Sequence, residues 1–277
     1  MLEYNVQAPL DIEELSPPQD RDGVTVYDIA YASPRGGKVA SYLVVPKDSG
    51  PFAGILFLHP GEGDRATFLS EAITFAQAGA VALSIDGPFT RPALWKRVPH
   101  PRETDAYRDA FVQTVVDSRR GIDLLTSRTD VDADRIGYVG HSFGATLGGV
   151  LAGVEKGIKA YVLMAGLVAY SDWCRTSDHP WAKWLRETLT AEQLENYVRK
   201  MSAIDAIHFV GQAAPASLLF QFGYRDESIS EGDARRFFAA ASEPKEIRWY
   251  DAGHFLNDQA RQDRIVRLGE RLGLSLT

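Results

Sequence analysis

The 277 residues include a single cysteine, Cys174, so no disulfide forms within the chain and a zinc centre built on several thiolates is excluded. Flanked by Trp173 and Arg175 outside any strand-to-helix pattern, that cysteine reads as a small packed residue rather than a nucleophile. Long apolar runs are missing too: none approaches the ~18 residues that a membrane span needs. Met1 to Asp11 carry no basic stretch leading into an apolar run, so no secretory leader is expected and a cytoplasmic location is the default. Positive charge is in deficit, with 30 Lys and Arg against 37 Asp and Glu and a formal charge of -7. Such a surface draws neither phosphate backbones nor anionic lipid, which excludes nucleic acid and membrane as expected partners. No His-Glu-x-x-His, aspartate cluster or Cys/His spacing points to a metal, and no cofactor is expected. Nothing in the sequence specifies an oligomeric state.

What is present is an ordinary globular composition, 45% hydrophobic and 24% charged, without repeats, low-complexity stretches or linkers that would separate domains. The expectation is one domain over 1–277. Two strand-like runs, 24–31 and 38–45, flank Ser33-Pro34-Arg35-Gly36-Gly37, whose turn residues predict a hairpin. The rhythm then changes to short apolar runs at 54–58, 80–85, 135–139, 160–164, 216–222 and 246–250, alternating with helical patterns at 65–78, 103–126, 143–154, 232–241 and 256–272. That alternation predicts an α/β fold, a mostly parallel eight-stranded sheet with helices on both faces. About fifty residues separate the runs ending at Met164 and starting at Ala216, more than one crossover needs. With Tyr170, Trp173, Trp181, Trp184, Tyr197 and a capped helix start at Thr190-Ala191-Glu192-Gln193, this interval predicts a small helical cap at about 167–210.

Gly140-His141-Ser142-Phe143-Gly144 fits G-x-S-x-G, and a strand runs into it while a small-residue helix runs out. Glycines two positions either side leave room for a sharp turn that lifts the Ser142 hydroxyl clear of the sheet. The Phe143 amide is then placed to donate to a developing oxyanion at the helix N-terminus. Serine needs a base, and His254 follows the last strand, at the sheet edge where α/β ligand sites form. His59 ends another strand at that edge and is the second candidate base. The orienting carboxylate should lie between serine and histidine in chain order; Asp226, after the strand and the turn Gly223-Tyr224-Arg225, is preferred over the adjacent Glu227. His141 is expected to turn its side chain into the structure.

A competing motif occupies the loop after the strand at 54–58. Gly61-Glu62-Gly63-Asp64-Arg65-Ala66 satisfies G-x-G-x-x-A, and Asp86 ends the next strand where a ribose-binding acid of a dinucleotide site would sit. The antiparallel hairpin before that strand and the serine, acid and histidine series downstream argue against an NAD-binding oxidoreductase. A non-catalytic receptor or scaffold of the same architecture is a third reading, distinguished by whether a fluorophosphonate labels the chain.

From about Val24 onward the sequence resembles the α/β-hydrolase superfamily, and within it the dienelactone-hydrolase-like and acetyl-esterase-like branches, which also resemble the catalytic domains of prolyl-oligopeptidase-type peptidases. The resemblance rests on Gly140 to Gly144 as nucleophile elbow, Gly223 to Asp226 as acid turn and Gly253-His254-Phe255 as histidine loop. It implies an α/β-hydrolase fold and a catalytic triad of Ser142, Asp226 and His254. Dienelactone hydrolases proper use cysteine where this chain has Ser142, so their lactone substrate does not carry over. The family's His-Gly-x-Gly oxyanion loop stands here as His59-Pro60-Gly61-Glu62-Gly63. Because proline has no N–H, a second oxyanion donor supplied by this loop must be the amide of Gly61 or of Glu62. The expected function is hydrolysis of a small-molecule ester with a short acyl group through an acyl-enzyme, with a prolyl-oligopeptidase-like peptidase or amidase as the alternative. His59, Trp95, Trp173, Trp181 and Trp184 are expected to border the substrate pocket, while Arg91, Lys96, Arg97 and Arg102 read as solvated charges around the loop after Asp86.

Overall fold

The computed structural model describes residues 1–275. Its nine strands are β1 (Glu13–Arg21), β2 (Val24–Ala32), β3 (Lys38–Pro46), β4 (Phe52–Leu58), β5 (Ala80–Ile85), β6 (Val131–His141), β7 (Ile158–Met164), β8 (Ser217–Gly223) and β9 (Lys245–Tyr250). They form one sheet in the order β1-β2-β3-β5-β4-β6-β7-β8-β9. The first three strands and the β3/β5 pair are antiparallel, and every pair from β5/β4 to β8/β9 is parallel. The hairpin entry and parallel body are as expected, but the count is nine rather than eight. The missed strand, β1, reads Glu-Glu-Leu-Ser-Pro-Pro-Gln-Asp-Arg, lies at the sheet edge and breaks register twice against β2. Prolines and charge suit an unpaired edge, and they erase the apolar alternation by which a strand is recognised.

Every residue of β4, β5 and β8 is buried, because helices cover both faces of the sheet. On one face lie α2 (Thr104–Thr126), α3 (Phe143–Val154) and α7 (Glu231–Ala240), whose Phe111, Val115, Leu147, Leu151 and Phe237 share a core with alternate strand residues such as Leu56 and Tyr138. On the other face, α1 (Leu69–Gln77) and α8 (Asp258–Leu272) bury Phe75, Ile265 and Leu268 against Ile55, Phe57 and Val139. The period-2 pattern of β4 thus feeds two cores, Leu56 one way and its neighbours the other.

The expected cap is built from α4 (Tyr170–Thr176), α5 (Pro180–Thr188) and α6 (Ala191–Met201), followed by three short 3₁₀ turns that lead back to β8. Helix α6 begins in a full capping box, Thr190 accepting from the Gln193 amide while the Gln193 side chain accepts from the Thr190 amide. The two ends of the cap are tied to each other. Asp205 takes the buried Ser171 hydroxyl and amide, and the Ile207 amide donates to the Val168 carbonyl at 2.8 Å. Among the described residues, no helix is long and apolar enough to cross a membrane, and no group of three or more His, Cys, Asp or Glu is arranged to hold a metal.

Candidate active site

Strand β6 ends in His141, and the chain turns at Ser142 with φ 52° and ψ -109° before α3 begins at Phe143. A positive φ at a serine is strained, and the surrounding contacts hold it. The Ser142 amide donates to the Met164 carbonyl at 2.8 Å, and the Thr146 amide and hydroxyl both donate to the Ser142 carbonyl, at 2.8 and 3.0 Å. The flanking glycines are required by space: a Cβ on Gly144 would stand 2.1 Å from the Leu58 carbonyl oxygen, and one on Gly140 would stand 2.5 Å from Gly144 backbone.

His254 stands in the loop between β9 and α8. Its Nε2 lies 2.9 Å from Ser142 Oγ, and its Nδ1 lies 3.0 and 2.9 Å from the two Asp226 carboxylate oxygens. A carboxylate accepts, so Nδ1 carries the proton and the Nε2 lone pair faces the serine hydroxyl. The Asp226 side chain is 1% exposed and also accepts the amides of Ser228 and Ile229, at 2.8 and 3.0 Å. Glu227 is exposed and makes none of these bonds. Behind the histidine loop, His141 Nε2 donates to the His254 carbonyl at 2.8 Å. Burial pushes the His141 pKa down to about 4, so the ring is neutral where it supports the loop.

Ser142 and His254 open onto a cavity of about 730 Å³ between the sheet edge and the cap. Gly61 and Glu62 line it together with Phe143, and the amides of Gly61 and Glu62 donate to no group among the described residues. The amide of Phe143, as first residue of α3, has no intrahelical acceptor either.

Of the five residues expected to border the pocket, Trp173 and Trp181 do so and three do not. His59 is 2% exposed and lies beneath the loop, donating from Nδ1 to the Pro60 carbonyl and accepting the Gly87 amide at Nε2, 2.8 Å away. With that lone pair occupied it is unavailable as a base; it fixes the loop that carries Gly61 and Glu62. Trp95 instead packs against the hairpin turn at Gly37, and Trp184, 39% exposed, stacks on the outer side of Trp181 at 4.9 Å between ring centres. Arg91 is not a solvated charge: it is fully buried and paired with the equally buried Asp117 of α2. The dinucleotide motif also fails on geometry. Asp86 is enclosed and bound by the Arg65 amide at 2.6 Å and guanidinium at 2.8 Å, and α1 starts only at Leu69, so neither a ribose acid nor a phosphate-facing helix end exists there.

Other walls come from residues that the sequence did not single out for the pocket: Phe89, Tyr107, Phe111, Tyr170 and, from the cap, His179. Phe111 repeats at helical spacing with the core of α2, and only its position near the N-terminal end of that helix turns it toward the cavity.

Comparison with known proteins fits this arrangement. The chain superposes on an acetyl xylan esterase from Paenibacillus sp. R4 with a TM-score of 0.82 at 22% identity, covering 96% of this chain and 90% of that one. Acetyl xylan esterase 1 from Thermoanaerobacterium sp. JW/SL YS485 gives 0.75 at 17%, covering 95% and 88%. A prolyl endopeptidase gives 0.72 at 22%, covering 94% of this chain but 40% of the other. At these identities the likeness establishes the α/β-hydrolase fold. Among curated proteins none matches the sequence significantly. The model of the prolyl oligopeptidase family matches residues 103–266, more than half of the sequence and the stretch that holds the elbow, the acid turn and the histidine loop; the chain belongs to the prolyl oligopeptidase family.

Proposed function

We propose that the chain is a serine hydrolase that cleaves short-acyl carboxylic esters through an acyl-enzyme, with Ser142 as nucleophile, His254 as general base and Asp226 as orienting acid. The observation that carries this reading is the unbroken relay from Asp226 through His254 to Ser142, with contacts of 2.9 to 3.0 Å, opening on an aromatic-walled cavity. His254 Nε2 takes the hydroxyl proton as Ser142 Oγ bonds to the ester carbonyl carbon, and Asp226 stabilises the imidazolium that results. The carbonyl oxygen gathers negative charge against the Phe143 amide and the amide of Gly61 or Glu62. His254 then hands its proton to the departing alcohol oxygen, and a water activated by the same ring releases the acid. Aromatic walls at Phe89, Phe111 and Phe143 favour a compact acyl group.

Two of the superposing proteins are named as acetyl xylan esterases, which supports an acetyl-sized acyl group. The family match supports the amidase or peptidase alternative, since both reactions use the same triad. Purified protein assayed on p-nitrophenyl acetate, butyrate and palmitate beside aminoacyl p-nitroanilides separates them. The proposal expects kcat/KM to be highest for acetate or butyrate. Preference for palmitate, or anilide cleavage without esterase activity, overturns the substrate assignment. Failure of a fluorophosphonate to add one phosphonyl group to the chain, with loss of that addition in Ser142→Ala as control, overturns the chemistry.

A further inference from the structure

Among the polar side chains that line the cavity and take no part in the relay, His179 stands in the cap. His179, in the cap just before α5, caps that helix: its Nδ1 accepts the Trp181 amide at 3.2 Å. That bond uses the Nδ1 lone pair, so the neutral ring carries its proton on Nε2. Nε2 has no hydrogen-bond partner among the described residues, while the ring lies against Trp173, 5.1 Å between centres, and lines the cavity that holds Ser142 and His254. The charged or titratable groups that act on it are His254, Glu62 and Asp226. Burial, then the neighbouring His254, lowers its pKa, so near neutral pH it is a donor and not a cation. Glu62, which also lines the cavity, is an exposed carboxylate and supplies an acceptor.

These positions define the alcohol side of the site. His254 has to protonate the leaving oxygen, so the part of the cavity next to His254 receives the alcohol portion of the ester. A fixed N–H donor and a carboxylate acceptor there, between aromatic walls, match an alcohol that bears further hydroxyl groups better than a plain alkyl chain. Resting on the ester-hydrolase reading above, we infer that His179 is a specificity-determining residue that donates from Nε2 to a hydroxyl oxygen of the alcohol portion, so that the enzyme selects short-acyl esters of polyols.

The test compares glycerol 1-acetate with propyl acetate, which keeps the ester and the three-carbon chain but lacks the two hydroxyls. Wild type should show the higher kcat/KM on glycerol 1-acetate, and in His179→Asn the ratio of the two should fall about tenfold, the loss expected for one hydrogen bond. Asparagine still caps the helix but is too short to reach the alcohol, so its Tm should stay near wild type while that of His179→Ala drops; both should lose the ratio. His179→Ser, another capping residue, serves if the asparagine variant does not fold. An unchanged ratio in His179→Asn, or a ratio that falls only in His179→Ala together with its Tm, overturns the role of His179. So does a wild type that prefers propyl acetate. A wild type that cleaves neither these esters nor p-nitrophenyl acetate overturns the ester-hydrolase reading itself.

Discussion

Replacing His141 with glutamine removes a titrating ring but keeps an N–H able to reach the His254 carbonyl that His141 Nε2 holds at 2.8 Å. The folded ring has its pKa lowered from 6.5 to about 4, first by burial and further by the neighbouring His254, although the bond to the His254 carbonyl opposes the shift. In the unfolded chain the ring titrates at its ordinary value. Between those two points the unfolded state binds a proton that the folded state refuses, so stability falls as pH drops through this window. It is unaffected above about 6.5 and fully reduced below about 4. A gap of about 2.5 at about 1.4 kcal/mol each gives a loss of about 3 kcal/mol. Urea unfolding of wild type and His141→Gln at about pH 7.5 and about pH 4.5 measures it as a difference of differences, in which the other titrating groups cancel. Wild type should lose about 2–3 kcal/mol more than the variant over that interval. Equal losses would mean that the ring is charged in the folded protein and that its burial does not keep it neutral.

The remaining predictions concern the relay, the elbow and the cap. Asp226→Asn should lower kcat on p-nitrophenyl acetate by a factor on the order of 10⁴, as when a triad histidine loses its orienting carboxylate, while Glu227→Gln stays near wild type; the opposite ranking would reassign the acid. Gly144→Ala should destabilise the fold by about 3 kcal/mol or more, because its methyl would meet the Leu58 carbonyl at 2.1 Å, and an unchanged urea midpoint would refute that packing. Trp173→Ala should cost about 3–5 kcal/mol and lower the preference for glycerol 1-acetate over propyl acetate, since the residue is 8% exposed, lines the cavity and lies against His179. Trp184→Ala should do neither, and an altered preference there would mean that the outer face of the cap reaches substrate.

Much of this site was legible because its residues sit where local patterns change. Ser142 stands between a strand and a helix, Asp226 and His254 just after strands, and each junction carries a glycine that marks it. The pattern stops short where burial is decided by distant parts of the chain. Arg91 reads as a loop cation, yet Asp117, 26 residues on and from the opposite side of the turn, neutralises it inside the protein. Trp95 and Trp184 carry the same bulk as Trp173 and Trp181, and sequence has no means of telling which face of a cap helix meets the cavity. In α5, Trp181 and Trp184 are three residues apart and stack on each other, so one indole shields the other from the pocket. Strand β1 escaped for the opposite reason: an edge strand is selected to look unlike a strand. Glu227 and Asp226 are chemically similar neighbours; the place right after the glycine turn favours Asp226 in sequence, and the Ser228 and Ile229 amides aimed at its carboxylate separate the two in the fold.

The cap and the relay are also joined through that turn. Ser228 donates its amide to Asp226, and its carbonyl accepts the Trp173 indole N–H at 2.9 Å. Trp173 is therefore a cavity wall and, through one residue's backbone, a support for the loop that holds the acid. His179 lies against the same indole, so a substrate that pulls His179 toward its own hydroxyl bears on Trp173 as well. Asp226 has little freedom to respond by moving, since its side chain is enclosed and three backbone or ring donors hold it. In this arrangement the cap can select substrate while the distance from His254 Nε2 to Ser142 Oγ stays set by the sheet edge, where His141 holds the histidine loop and Met164 holds the serine amide.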